Sequence, residues 1–308
     1  MAKNLAKDAG REARQKLGWW HAHRFLILRR LAQFSIIGLF LLSPTVNILK
    51  GNLSSSMLFD TIPLTDPLIF LQIVASGHIP EFNALLGVLI VVVFYAIISP
   101  RAFCAWVCPL NVVTDLAAWL KRKLEIKASF RWNAQLRYWL LGALLIGSAA
   151  SGSVLWAWID PVATLHRGIL FGMGAGWVLI LLVFVLDLLL VDHGWCGHLC
   201  PLGATYGVIG RKSVLRISAE NREACTKCMD CYNVCPEPEV LRQPLKEGDR
   251  RVMDQNCISC GRCIDVCPEN VLVFTHRFKD KDKDKDKDKD KDKDKDKDKD
   301  KDKDKDKA

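Results

Sequence analysis

Eight cysteines in this chain stand in two runs of C-x2-C-x2-C-x3-C-P. The first run is Cys225, Cys228, Cys231 and Cys235, closed by Pro236. The second is Cys257, Cys260, Cys263 and Cys267, closed by Pro268. Thiolates at this spacing wrap cuboidal [4Fe–4S] clusters, whose chemistry is one-electron transfer. Three cysteines on one tight loop hold three irons of a cube, and the fourth, three residues further on, points to the other cube. The spacing therefore predicts cluster 1 on Cys225, Cys228, Cys231 and Cys267, and cluster 2 on Cys257, Cys260, Cys263 and Cys235. Each closing proline turns the chain out of its loop, because its φ is fixed and it lacks an N–H. Disulfides and structural zinc are the alternatives. Zinc sites pair two C-x2-4-C knuckles, a different spacing.

The other four cysteines form an internal repeat. Phe103-Cys104-Ala105-Trp106-Val107-Cys108-Pro109-Leu110 and Trp195-Cys196-Gly197-His198-Leu199-Cys200-Pro201-Leu202 share one aromatic-C-x3-C-P-L pattern. Cysteines four apart on a helix share a face. Two such pairs brought together would supply Cys104, Cys108, Cys196 and Cys200 to one metal or cluster, or would cycle as dithiols. Plain packing of small buried cysteines is the bland reading. The hypothesis is an electron-relay or metal-binding station between the membrane and the clusters. Iron counts in Cys104→Ser and Cys196→Ser test it, and unchanged iron with unchanged electron transfer would dismiss it.

The elements that must hold these cysteines are strongly apolar. Half of the 308 residues are hydrophobic, concentrated in the first two-thirds. Apolar runs at Leu31–Leu49, Phe82–Ser99, Leu136–Ile159 and Gly168–Val191 predict four transmembrane helices in two hairpins, an all-α membrane domain over residues 31–213. Pro44 is predicted to bend the outer end of the first span, which lacks a cleavage site and reads as an uncleaved anchor. Met57–Ala75, broken by prolines, reads as an interfacial or re-entrant element. Basic residues alternate in density. Eight (Lys3, Lys7, Arg11, Arg14, Lys16, Arg24, Arg29, Arg30) precede the first run, and six (Arg101, Lys121, Arg122, Lys123, Lys127, Arg131) follow the second. Lys50 and Arg167 stand alone in the two other connectors. The positive-inside rule then predicts a multi-pass protein of the bacterial inner membrane, with both termini and both clusters cytoplasmic. A reducing cytoplasm suits twelve cysteines. Trp156 and Trp158 would lie in an interfacial belt.

Asp187 sits inside an apolar run, where an ionisable group is a functional candidate. A buried ion pair or snorkelling near Asp192, His193 and Arg211 is the structural alternative. His166 and His78 are candidate proton acceptors near the water interface, and His198, between Cys196 and Cys200, is a candidate for local redox tuning. The excess of basic over acidic residues lies beside apolar segments, which indicates membrane orientation and no nucleic acid. Residues 279–308 are a Lys-Asp alternation closed by Ala308. Such a polyampholyte offers no apolar residue to offset ordering entropy and is predicted to be disordered.

Residues 214–278 read as a small α+β ferredoxin-like domain. Strands are predicted at Val214–Ile217 and Val271–Phe274, with a hairpin turn at Gly248-Asp249. Roughly sixty residues build a weak core, so the clusters must supply the missing cross-links.

Taken together, these motifs resemble the NapH family of membrane ferredoxin-type subunits in periplasmic nitrate reductase systems. The resemblance covers about residues 20–278 and extends to Leu58–Leu68 and to Ala75-Ser76-Gly77-His78-Ile79-Pro80. It implies a quinol dehydrogenase subunit with no independent substrate chemistry and no assigned catalytic residue. Its partners would be the lipid bilayer, quinol, an iron–sulfur protein and a membrane cytochrome of the nitrate reductase system. The implied reductase is periplasmic while the charge rule puts the clusters inside, and the chain has no C-x-x-C-H haem motif to bridge them. Related ferredoxin-type proteins serve nitrous oxide reduction, methylamine oxidation or cytochrome oxidase assembly, so an accessory or maturation role is the alternative. A redox sensor ranks below both, since no output module is present.

Overall fold

The computed structural model describes residues 9–43, 48–126, 132–172, 174–246 and 249–278. Lys3, Lys7, the bend at Pro44, Lys127, Arg131, the turn at Gly248 and the Lys-Asp tail lie outside the described residues.

The helical part opens with α1 (Arg11–Leu17) and α2 (Arg24–Leu41). A three-stranded antiparallel sheet follows, β1 (Leu49–Gly51), β2 (Ser55–Leu58) and β3 (Ile62–Thr65). Next come α3 (Pro67–Ala75), α4 (Phe82–Ile98), α5 (Ala102–Trp106) and α6 (Leu110–Lys123). The second half holds α7 (Leu136–Ser151), α8 (Trp156–Ile159), α9 (Pro161–Phe171) and α10 (Gly176–Val185), with wide five-residue turns at Leu186–Leu190 and Trp195–Leu199, then α11 (Pro201–Ile209). Both halves use one local design. Asp66 caps α3 by accepting the Leu68 N–H at 2.7 Å, and Asp160 caps α9 by accepting the Val162 N–H at 2.9 Å, each with proline as the first helical residue. That pairing satisfies an orphan N–H and places proline where its missing N–H costs nothing.

This architecture corrects the four-span reading. Among the described residues no helix is long and apolar enough to cross a membrane. The most continuous apolar helix, α4, has 17 residues, or about 26 Å at 1.5 Å per residue, against a hydrocarbon core of about 30 Å. The first apolar run does not reach Leu49. Its helix begins earlier, at Arg24, carries Arg29 and Arg30, and ends at Leu41, while Leu49 is in β1. The third run breaks at Gly152, which is left-handed at φ +64°. The fourth is divided between α9 and α10. The region read as re-entrant is the β2–β3 hairpin followed by α3. Trp156 is not interfacial but buried at 2 % exposure, whereas Trp158 is exposed.

The cysteine-rich part joins β4 (Leu215–Ala219) to β5 (Leu272–His276) as an antiparallel pair, one residue beyond the predicted strand starts. Between them lie α12 (Asp230–Val234), α13 (Arg242–Lys246) and α14 (Arg262–Asp265). Ile217, Leu241, Val252, Ile264 and Leu272 form its core together with Cys257 and Cys263. The basic N-terminal stretch clasps this part. The Gly10 N–H donates to Asp230 Oδ2 at 2.8 Å, the N–H groups of Phe25 and Leu26 donate to Asp265, and the Phe25 ring packs edge-on against Phe274.

Candidate iron–sulfur site

The two cysteine runs fold alike. Lys227 and Met229 in the first, and Ser259 and Gly261 in the second, take left-handed backbone conformations at matching positions. These residues curl each loop so that backbone N–H groups face sulfur. Asp230 donates toward Cys228, Tyr232 toward Cys231, Glu237 toward Cys235 and Ser259 toward Cys257. The Val271 N–H lies 3.4 Å from Cys267 Sγ.

Cys225, Cys228, Cys231 and Cys267 line one cavity of about 410 Å³, although Cys267 is remote from the other three in sequence. Cys235 is in turn surrounded electrostatically by Cys260 and Cys257, and Cys263 by Cys260, Cys235 and Cys257. The first set is partly exposed; in the second, Cys257, Cys260 and Cys263 are buried. Among the described residues no three His, Cys, Asp or Glu side chains converge closely enough for one metal ion. Quartets of cysteine alone, spaced more widely than a single ion requires, suit a multi-iron cube. Burial pushes Cys235 and Cys263 up, Cys257 to about 11 and Cys231 to about 12. Cluster binding must displace protons from these thiols. When bound, an iron–sulfur cube supplies a reversible one-electron step, while these residues fix its position and surrounding charge.

Two charge networks press on the second quartet, three of whose cysteines are buried. Arg262 follows Cys260 by two residues and pairs with Asp115 of α6. Asp115 also holds Arg30 at 2.5 Å and Arg29 at 3.6 Å. Burial works against the charge of Asp115, but Arg262, Arg29 and Arg30 outweigh it and hold the carboxyl below its usual range. On the other side Glu237, two residues past Cys235, pairs with Arg137 at 2.7 Å and Arg101 at 3.2 Å. Arg101 also donates to the Asn256 carbonyl at 2.9 Å and the Cys196 carbonyl at 2.5 Å. Sequence reasoning missed both hubs. The signal for one was present: Asp115 is the only acidic residue between Arg101 and Lys123.

The C-x3-C-P turns are also twins. Arg101 and His193, at equivalent positions before the two turns, are both left-handed at φ +50°. In each turn the second cysteine's N–H reaches five residues back, 3.0 Å to the Phe103 carbonyl and 2.9 Å to the Trp195 carbonyl. Five-residue turns of this kind are rare and gather at functional sites. Cys104, Cys108, Cys196 and Cys200 line one small void of about 20 Å³, walled otherwise by apolar side chains such as Phe103 and Trp195. The first turn packs on the second ferredoxin loop. Cys104 and Trp106 meet Ile258 and Cys260, and Trp106 Nε1 donates to the Ser259 carbonyl at 3.1 Å. Gly197 of the second turn lies against Pro236 and Glu237.

The remaining singled-out residues fall elsewhere. Asp187 accepts the Trp195 N–H at 2.9 Å. His166 is fully buried against Phe40, away from any water interface, so burial and nearby Arg167 push its pKa down. His78 is on the surface beside Ser76. His198 is half-buried near Glu237 and Arg137.

Comparison with known proteins agrees with this chemistry. A family described as a 4Fe-4S binding domain matches twice, over residues 81–127 and 173–219, once around each C-x3-C-P turn. A 4Fe-4S dicluster domain matches residues 217–268. The ferredoxin-type protein NapH of Haemophilus influenzae is 55% identical over 89% of this chain and 98% of its own length. NapH of Escherichia coli is 51% identical over 89% and 97%. The methylamine utilization ferredoxin-type protein MauN of Methylorubrum extorquens is 42% identical over 80% and 86%. No solved structure matches the chain. The cofactors are two [4Fe–4S] clusters, and the work they support is electron transfer. The chain belongs to the NapH family of ferredoxin-type proteins.

Proposed function

We propose that the chain takes electrons from quinol and passes them through its two clusters to a partner iron–sulfur protein, toward a periplasmic nitrate reductase. Cluster 1 is assigned to Cys225, Cys228, Cys231 and Cys267, and cluster 2 to Cys257, Cys260, Cys263 and Cys235. The observation that carries the reading is the cavity shared by Cys225, Cys228, Cys231 and the distant Cys267. Its partial exposure suits an exit to a partner protein, and the second quartet, with Cys257, Cys260 and Cys263 buried, suits an internal relay. Residues 214–278 form the electron-transfer unit in this reading, clasped by residues within 1–30 and seated on residues 31–213.

The protein works at the cytoplasmic face of a bacterial inner membrane. Exposed apolar side chains on α4 and α10, among them Phe82, Leu89, Phe94, Trp177 and Leu181, support contact with lipid, since apolar surface on this scale marks an interaction face. The partner cytochrome and the quinol come from the family resemblance. The test is anaerobic mixing of the full chain with a quinol analogue. Bleaching of the iron–sulfur absorbance, with a paramagnetic signal, is expected. Clusters that stay oxidised with quinol and partner present would end the proposal.

A second reading, an accessory role in another pathway, is favoured by the 42% identity to a protein named for methylamine utilization. Electron delivery to a purified nitrate reductase partner separates the two.

A further inference from the structure

The four cysteines of the C-x3-C-P turns are not needed for the two clusters, yet the fold gathers them. All four are free thiols, and their shared void of about 20 Å³ has room for about one water molecule. The quartet at residues 225–267 faces a cavity of about 410 Å³. The small void has no second ligand type in its walls, and among the described residues no three ligand side chains converge as one metal ion requires. What such a setting offers is four thiols lining one void beside the cluster loops. Cys104 packs with Cys260, and Gly197, next to Cys196, packs against the segment that follows Cys235.

Two further observations bear on redox work. Thr114 Oγ1 lies 3.6 Å from Cys196 Sγ, within hydrogen-bond reach for sulfur. Asp187, which acts electrostatically on Cys196, spends only one carboxylate oxygen on the Trp195 N–H. Its other oxygen, Oδ2, is buried without a partner. That oxygen, with the Lys121 ammonium as a nearby counter-charge, is open to a proton from the thiol. Asp192, which acts electrostatically on Asp187, is exposed and paired with Lys121 at 2.9 Å.

We infer that Cys104, Cys108, Cys196 and Cys200 form a dithiol–disulfide couple that exchanges two electrons with the two [4Fe–4S] clusters. In the oxidising direction two thiols, one from each turn, lose their S–H bonds and form one S–S bond. Two electrons leave, one to each oxidised cluster, the cluster of the Cys257 loop receiving first. Two protons leave in turn by way of Asp187 Oδ2. The reverse step returns two electrons and two protons and breaks the S–S bond. The shared void brings both turns together, so the link assigned joins one cysteine of the Cys104/Cys108 turn to one of the Cys196/Cys200 turn. The inference rests on placing one cluster in the Cys257 loop.

The test is a peptide map of the full chain, purified anaerobically with its clusters. One sample is poised with dithionite and one with ferricyanide. Both are quenched in acid, alkylated and digested, and iron per chain is counted in parallel for the parent and Cys104→Ser. Expected is one link between the Cys104/Cys108 turn and the Cys196/Cys200 turn after ferricyanide, four alkylated thiols in these turns after dithionite, and equal iron in parent and variant. Asp187→Asn is expected to slow formation of the link at least tenfold without changing which cysteines join. Four alkylated thiols in both samples would overturn the inference, as would iron that falls in Cys104→Ser and so reveals a further metal centre. If the serine variant fails to fold, the parent map decides alone. Chemical poising uses no quinol, so failure of the quinol reaction leaves this result readable.

Discussion

Arg262 and Asp115 form a buried opposite-charge pair beside Cys260, and their separate removal should move the potential of cluster 2 in opposite directions. Arg262 is two residues from Cys260 and acts electrostatically on Cys260 and Cys235. A unit charge roughly 8 Å away at an effective dielectric of about 20 contributes about 2 kcal/mol, which is about 90 mV for one electron. Arg262→Gln removes a positive charge that favours the more negative reduced cluster, so the potential should fall by about 50–90 mV. Asp115→Asn leaves Arg29, Arg30 and Arg262 without their shared carboxylate, so the potential should rise by a comparable amount. The double variant should return near the parent value. Breaking one partner of a buried pair costs about 3–5 kcal/mol. For Arg262→Gln the cost should sit at the low end, because Asp115 keeps Arg30 at 2.5 Å and Arg29 at 3.6 Å. The assay is a redox titration followed by electron paramagnetic resonance. Shifts of the same sign in both single variants, or no shift in either, would refute the reasoning, since mere loosening of the site has no reason to reverse sign.

Other outcomes follow from the same physics. Burial raises Asp66 to about 7 and Asp160 to about 6. The folded chain therefore keeps protons that the unfolded chain releases above about pH 4, so this contribution is full below that pH and is lost as pH rises through 6 and 7. Thermal melts should show a decline of about 2–2.5 kcal/mol between pH 5.5 and 7, and Asp66→Asn should flatten the upper part of it. Gly261→Ala puts a methyl group 2.5 Å from Phe25 Cγ at a φ of +74°. It should cost about 2–4 kcal/mol by overpacking and backbone strain together and lower iron content, as read by melting and iron assay. Chelating the iron should unfold residues 214–278 while the helical part persists, visible as lost β4–β5 amide protection in hydrogen exchange, because so small a core lacks its cross-links.

The chemistry of this chain was legible because ligand spacing is a local property. The C-x2-C-x2-C-x3-C-P runs and the twin C-x3-C-P turns were read from residue order alone, and the turns do meet around one void. The strands β4 and β5 were found to within about a residue at their starts and two at their ends because short apolar runs flanked the cysteine loops. The four spans failed for a physical reason. Hydropathy counts apolar side chains but does not register where the backbone stops being helical, as at left-handed Gly152 or where Leu49 enters a sheet. The N-terminal clasp on Asp230 and Asp265 was invisible for another reason: it joins residues more than 200 positions apart through backbone N–H groups, which every residue carries. Asp115 and Glu237 were missed because a carboxylate's value lies in which arginines the fold brings to it.

The central claim is that two cubes are held crosswise, with Cys267 serving the loop of Cys225 and Cys235 serving the loop of Cys257. Paramagnetic spectra of dithionite-reduced Cys225→Ser, Cys257→Ser and Cys267→Ser test it most directly. Cys267→Ser should alter the same signal as Cys225→Ser and leave intact the one that Cys257→Ser alters. A Cys267→Ser spectrum matching that of Cys257→Ser would contradict the account.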